Sequence, residues 1–321
     1  SLKTVGSEDP QIYAIPWLTD ARTIYYWRDM LIDAGIDEHT AFETPEKFEH
    51  TLKTLQQSGI STPFALPMVK EPLLLHNIAT WIWAYGGDFL SPDYQSVAFN
   101  QPAALQGMMA HFQLHRYMPH PPQPMDDNFI YQAFFERRIA LALTGPFLRT
   151  RLRSMVKMSQ FDGVGIALPP GPSFVGGTHL VIMENTLPRY EAKALELIAR
   201  LTDPQVQRQL CEITGLLPGR AQMLQMEPFS TDPFFQISII ALQRGRSFPR
   251  LSLWGMIEER LVGIYADLWE KIMTNPDLPP EVITDMITRQ LNALAQRLNP
   301  VLDQSSTGSI MPDQSSGRSR R

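Results

Sequence analysis

Four groups of residues in this sequence have the types and spacing to do chemistry, and each has a competing structural use. Gly171-Pro172-Ser173-Phe174-Val175-Gly176 comes nearest to a nucleophile elbow. Its second glycine falls one residue late for G-x-S-x-G and prolines crowd the turn, so a Gly/Pro-rich crossover loop is the simpler reading. His111 and His115 stand four apart and could place two metal ligands on one helix face. Phe112 occupies the position where H-E-x-x-H carries its glutamate, and no third ligand is nearby, so exposed or capping histidines are expected. Asp126-Asp127 and Glu258-Glu259 are adjacent carboxylates, which point apart on a helix and make no glycosidase pair by themselves. Arg149, Arg151, Arg153 and Lys157 read as a solvated helix face rather than a phosphate patch. There is no Gly-rich phosphate loop. The expectation is therefore no catalytic residue, no metal and no cofactor.

The aromatic residues are more informative. The six tryptophans are Trp17, Trp27, Trp81, Trp83, Trp254 and Trp269. Trp17 lies in Pro16-Trp17-Leu18-Thr19-Asp20, and Trp81 and Trp83 lead into Gly86-Gly87-Asp88. A tryptophan face can stack on the C–H face of a pyranose while a nearby carboxylate accepts from its hydroxyls. Aromatic walls with a few polar groups suit a sugar pocket. Taken singly, each tryptophan is more readily read as core packing.

These residues need elements to position them. Ile12–Ile15 and Thr23–Trp27 are rich in β-branched and aromatic residues and predict strands. Thr44 as N-cap, Pro45 at the first helical position, Phe48, Leu52 and Leu55 on one face, and Gly59 as the stop predict a helix. Helical spacing recurs over residues 74–84, 103–117, 128–136 and 191–201. A further helix starts at Asp203-Pro204 and stops at Gly215. Two more run over residues 251–273 and 280–298. Short apolar runs at residues 139–143, 164–168 and 179–183 read as buried strands. Strands alternating with helices indicate an α/β class with largely parallel sheets. The tail from Gln304 is poor in apolar residues and is expected to be disordered.

The chain has 321 residues, which suits two lobes better than one core. Its formal net charge of −5 argues against nucleic acid as a partner. Cys211 is the single cysteine, so no internal disulfide framework exists. No stretch is apolar enough to span a membrane, and residues 1–10 have neither the basic nor the apolar region of a signal peptide.

Motif order sharpens this. Tyr13-Ala14-Ile15-Pro16-Trp17-Leu18-Thr19-Asp20 followed by Tyr25-Tyr26-Trp27-Arg28-Asp29 resembles the segment of family 1 extracellular solute-binding proteins that passes from the N-terminal to the C-terminal lobe. Thr44-Pro45-Glu46-Lys47-Phe48 and Trp83-Ala84-Tyr85-Gly86-Gly87-Asp88 follow in the family's order. Leu141-Ala142-Leu143-Thr144-Gly145-Pro146-Phe147 is similar to its "A-M-x-x-x-G-x-W" strand and turn, with Phe147 in the aromatic position. Residues 164–169 with Gly176-Gly177 resemble the return crossing, and Leu216-Leu217-Pro218-Gly219-Arg220 a later element.

The resemblance implies a two-lobed periplasmic-binding-protein-like α/β fold of type II, similar to maltose-binding protein. Family members carry a long segment before the one matching Tyr13, so the N-terminal lobe is expected to be incomplete. The implied lobes are residues 1–20 with 167–245, and 21–166 with 246–300, followed by a tail at 301–321. The chain is expected to cross between them near residues 14–22, 166–176 and 242–250. The implied function is capture of a sugar or polyol by a monomer, periplasmic or extracellular and possible to anchor by lipid, with delivery to a membrane ABC permease. The expected ligand contacts are Trp17, Trp83 and Trp254 by stacking, and Asp20, Gly177 and Arg220 by polar bonds. The alternatives are the same clamp used as a sensor's input domain, or a glycoside-processing enzyme using distant carboxylates.

Overall fold

The computed structural model describes residues 2–3, 12–121, 125–155 and 162–307. In chain order the elements are β1 (Leu2–Lys3), β2 (Ile12–Ala21), β3 (Thr23–Trp27), α1 (Arg28–Asp33), α2 (Pro45–Gln57), β4 (Phe64–Ala65), α3 (Leu73–Ala84), α4 (Pro102–Phe112), α5 (Asp127–Phe135), β5 (Leu141–Thr144), α6 (Phe147–Met155) and β6 (Val164–Ala167). There follow β7 (Val175–Leu180), α7 (Pro188–Leu201), α8 (Pro204–Thr214), β8 (Leu217–Pro218), α9 (Pro233–Arg244), α10 (Trp254–Thr274) and α11 (Pro280–Thr307). Short 3-10 turns cover Gln113–Tyr117 and Ala221–Gln225.

Local signals set most of these boundaries. The Thr44 side chain accepts from Lys47 N at 3.3 Å and starts α2, with Pro45 filling a position that needs no N–H donor. The Asp203 side chain caps α8 in the same way, and Gly215 ends it in the left-handed region at φ 80°, which a side chain would disfavour. Other ends differ from expectation. The buried strand expected at residues 179–183 is corrected: the strand there is β7, which lies earlier and is half-buried to exposed, because pairing with β2 rather than local apolarity sets its position. α11 passes through Pro300 to Thr307, beyond the expected stop at Leu298 and the expected tail start at Gln304. Residues 308–321 of that tail lie outside the described residues. Helix α9 was not expected, and α6 was anticipated only as the helix face carrying Arg149, Arg151 and Arg153.

The elements form two sheets. One has the order β1-β2-β7, with β8 also paired to β2. The other has the order β4-β5-β3-β6. The expectation of largely parallel sheets is corrected here. Every named strand pair is antiparallel except β4 with β5. Alternation of strands and helices along the chain does not decide which strands become neighbours. β3 takes both of its partners, β5 and β6, from more than a hundred residues downstream.

The second sheet lies in the larger core, with Trp27, Phe48, Phe64, Trp81, Phe134, Tyr265 and Trp269 fully or almost fully buried. A smaller core of Leu18, Cys211, Leu217, Met223, Phe229 and Phe235 serves the first sheet. Cys211 is a buried thiol whose pKa burial pushes up to about 12, so it behaves as a small hydrophobe.

α3 and α4 pack closely because Gly107 has no side chain: a Cβ there would lie 2.5 Å from the Trp81 carbonyl oxygen. One turn on, His111 is fully buried among Trp81, Phe112 and Trp269, and neither ring nitrogen has a hydrogen-bond partner among the described residues. His115 is also buried, with its ring nitrogens 2.9 Å from Phe112 O and 3.0 Å from Pro276 O. Both are core residues rather than the expected exposed or capping ones, because this helix face is turned inward. The described residues hold no cluster of metal-ligating side chains.

The basic stretch is likewise split. Arg151 and Arg153 are exposed, whereas Arg149 is buried, paired with Asp232, and lies 4.5 Å over the Phe235 ring. Lys157 lies outside the described residues.

His111 generates a pH prediction. Burial lowers its pKa from 6.5 to about 3, so the unfolded chain binds a proton that the folded chain refuses. Stability from this residue is complete above pH 6.5 and is lost as pH falls from there toward 3. Denaturant midpoints at pH 7 and pH 5 will show a larger acid loss in the wild type than in His111→Phe. The difference is expected to be about 2 kcal/mol at pH 5.

Candidate functional site

The two sheets are joined where three chain segments meet. β2 runs into β3 with only Arg22 between them. Arg22 N donates to Phe174 O at 3.2 Å, Arg246 N to Ser173 O at 2.9 Å and Val175 N to Arg246 O at 2.9 Å. Ser173 Oγ donates to Arg22 O at 2.5 Å. The serine of the near-miss elbow is thus a buried hydrogen-bond donor, and no base activates it.

A cleft of about 890 Å³ opens beside this seam. Its lining comes from β2 (Thr19, Asp20), the seam (Arg22, Phe174, Ser247, Phe248), β7 (Gly176, Gly177), α3 (His76), the start of α6 (Phe147) and the start of α10 (Trp254, Glu258). The aromatic part is of two kinds. Phe147 is 47% exposed and free to meet a ligand, whereas Trp254 is 8% exposed and packs on Phe248, with ring centroids 4.8 Å apart. Phe174 and His76 stack in parallel at 3.7 Å, forming a flat wall.

The electrostatics follow from burial. His76 Nε2 lies 4.0 Å from Glu258 Oε1, which would suit an ion pair. Burial first, and the nearby Arg22 charge second, push the His76 pKa down to about 3. The imidazole is therefore neutral and the contact is not ionic. Burial also raises the Glu258 carboxyl. Asp20 and Arg22 sit 3.8 Å apart at the base. Behind them, burial raises the Asp127 carboxyl, which accepts from Thr144 Oγ1 at 3.3 Å. No nucleophile in this cleft is set beside a base.

The cleft brings together three of the six expected contacts: Asp20, Gly177 and Trp254. Gly177 is needed for packing as well, since a Cβ there would overlap the Leu18 carbonyl oxygen. The other three are placed elsewhere. Trp17 donates from Nε1 to Leu201 O at 3.0 Å and packs on the smaller core, at the point where the β2–β7 ladder shifts register between Pro16 and Leu18. Trp83 is buried, donates to Asp88 Oδ1 at 3.2 Å and lies under Arg246 at 4.9 Å. Arg220 is exposed and starts a 3-10 turn away from the cleft. Arg22, His76, Phe174, Phe248 and Glu258 were not anticipated. Phe147 was noted only as an aromatic after Gly145-Pro146; that turn was the available signal.

A family model described as bacterial extracellular solute-binding protein matches residues 1–236. A search of curated proteins finds no match. Several hundred solved chains share the fold. One is the maltose-bound MalE3 of T. maritima, with TM-score 0.75 and 21% identity, covering 88% of this chain and 73% of that one. A second is the sugar-binding protein MalE of Xanthomonas citri, with TM-score 0.73 and 18% identity, covering 95% and 74%. A third is an ABC transporter solute-binding protein of Thermotoga lettingae bound to alpha-D-tagatose, with TM-score 0.72 and 21% identity, covering 92% and 73%. The fold is thus the two-lobed periplasmic-binding-protein fold, and this chain spans about three quarters of those relatives. No helix among the described residues is long and apolar enough to cross a membrane.

The two kinds of cleft aromatic will respond differently to truncation. Trp254→Ala opens a cavity and should cost about 3–5 kcal/mol. Phe147→Ala should stay within about 0.5 kcal/mol of the wild type, because the ring is half in solvent. Urea denaturation of both variants measures this; equal losses would show that Phe147 is a core residue.

Proposed function

We propose that this chain, which belongs to the bacterial extracellular solute-binding protein family, captures a sugar or related polyol in the cleft and hands it to a membrane ABC permease. The composition of the cleft carries this reading. The exposed face of Phe147 and the edge of Trp254 lie in one hollow with Asp20, Arg22 and the bare backbone of Gly176 and Gly177. Aromatic faces take the apolar side of a pyranose, and charged planar groups take its hydroxyls. A hollow of about 890 Å³ is large enough for a sugar of one or two rings. Relatives described as maltose-bound, sugar-binding and tagatose-bound support the same class.

In this reading residues 1–20 and 167–245 make one lobe, and 21–166 with 246–300 the other. The three segments at the seam serve as the hinge. Ligand bridging the two walls stabilises the closed arrangement by its differential affinity. The protein works as a monomer outside the cytoplasmic membrane and releases its ligand unchanged.

The test is a thermal-shift series with maltose, D-glucose, D-tagatose and glycerol. A sugar at a hundredfold excess over its Kd adds about 2.7 kcal/mol of stability, a shift of several degrees. Phe147→Ala should weaken that response at least tenfold in ligand concentration, with the ligand-free melt unchanged. No shift with any sugar would remove the sugar reading, and turnover of an oligosaccharide would replace it with an enzyme.

A further inference from the structure

We infer that Arg22 is the principal hydrogen-bond donor to the ligand, paired with Asp20 as an acceptor, and that the pair selects two adjacent oxygens of an uncharged sugar or polyol. This rests on the sugar reading above. Arg22 occupies the single position between β2 and β3, and the seam uses both of its backbone polar groups. Its Cα is therefore fixed, and its side chain is directed by the hinge itself. That side chain is only 9% exposed and lines the cleft.

Nε of Arg22 has no hydrogen-bond partner among the described residues. The only ion-pair partner of the guanidinium among the described residues is Asp20, at 3.8 Å, longer than a hydrogen bond. A guanidinium carries five N–H donors in a fixed fork. Leaving a donor of such a group buried and unbonded, as Nε is, is costly, so a position that retains it at a cleft wall wants an acceptor from outside. Arg149 differs in its setting: equally buried, with Nε and Nη1 also unpartnered among the described residues, it hydrogen-bonds Asp232 through Nη2, lies over an aromatic ring and does not line the cleft, whereas Arg22 has no such bond and faces the cleft.

Two glycines keep the pair open. A Cβ on Gly145 would stand 3.0 Å from Arg22 Nη1 and 3.8 Å from Asp20 Oδ2. A Cβ on Gly176 would stand 3.2 Å from Asp20 Oδ1. Bare backbone thus flanks both charged groups.

The charge of the ligand follows from the neighbours. Asp20 already balances Arg22, and Asp127 lies within the field of the same guanidinium. An anionic group seated on Arg22 would be forced against the Asp20 carboxylate. A vicinal diol meets no such repulsion. One hydroxyl donates to Asp20, and the oxygens accept from the guanidinium fork. His179 and Arg250 are at the exposed rim, where water screens them.

The experiment is isothermal titration of the full chain with maltose, D-glucose, D-tagatose and D-glucuronate, on wild type, Arg22→Met and Arg22→Lys, with the ligand-free melt of each. A neutral sugar that binds the wild type should lose roughly 10- to 100-fold in affinity in Arg22→Met. The ligand-free melt of that variant should be equal to or above the wild type, because an unbonded buried charge has been removed. Arg22→Lys should bind between the two, and glucuronate more weakly than glucose. Unchanged affinity in Arg22→Met overturns the assignment while leaving the sugar reading intact, and a lowered melt with unchanged affinity makes Arg22 structural. Tighter binding of glucuronate than glucose overturns the uncharged class. If no neutral sugar binds the wild type, the sugar reading fails and the assignment falls with it. If Arg22→Met does not fold, Arg22→Lys decides by the same affinity criterion.

Discussion

The main-chain hydrogen bonds at residues 22, 173–175 and 246 are the constraint on which the rest of this molecule depends. Each joins segments far apart in the chain. They hold β2 against β7 at the point where β2 becomes β3. Main-chain bonds are indifferent to side-chain identity, so the seam tolerates unusual residues around it. Two serine side chains add to them, Ser173 Oγ donating to Arg22 O and Ser247 Oγ to Val175 O. The cleft exists because the seam brings two sheets together without filling the space beside it.

Burial then divides the cleft into a rigid part and an available part. Trp254, Phe174 and Phe248 are locked against one another and against His76, so their geometry is set before any ligand arrives. Phe147 stands free at the start of α6. Charge is arranged in the same way. A neutral His76 and a raised Glu258 line one wall, while Asp20 and Arg22 concentrate the remaining charge at the base. A preorganised wall with few mobile parts limits the ordering cost of binding.

The structure also separates residues that look alike in sequence. Trp17 and Trp254 both follow strand-like or extended segments, yet one bonds Leu201 O beneath the smaller core and the other borders the cleft. His111 and Arg149 are polar residues on helices, and both are buried. Periodicity placed the helices, because an apolar stripe must face a core. It did not say that the α4 face bearing His111, or the α6 face bearing Arg149, would be turned inward by neighbours elsewhere in the chain.

By itself, the sequence determined the helices with strong caps, such as α2 and α8, the strands β2, β3, β5 and β6, the order of motifs, and hence the family and its two-lobed fold. Those features depend on nearest neighbours along the chain. It also marked Asp20, Gly177 and Trp254. Only the tertiary structure decided that the sheets are mainly antiparallel, that Trp17, Trp83 and Arg220 lie away from the cleft, and that Arg22, His76, Phe147 and Glu258 converge in it. The reason is physical: a binding site gathers side chains from segments more than two hundred residues apart, and long-range pairing, unlike capping or periodicity, leaves no mark in the local spacing of residues.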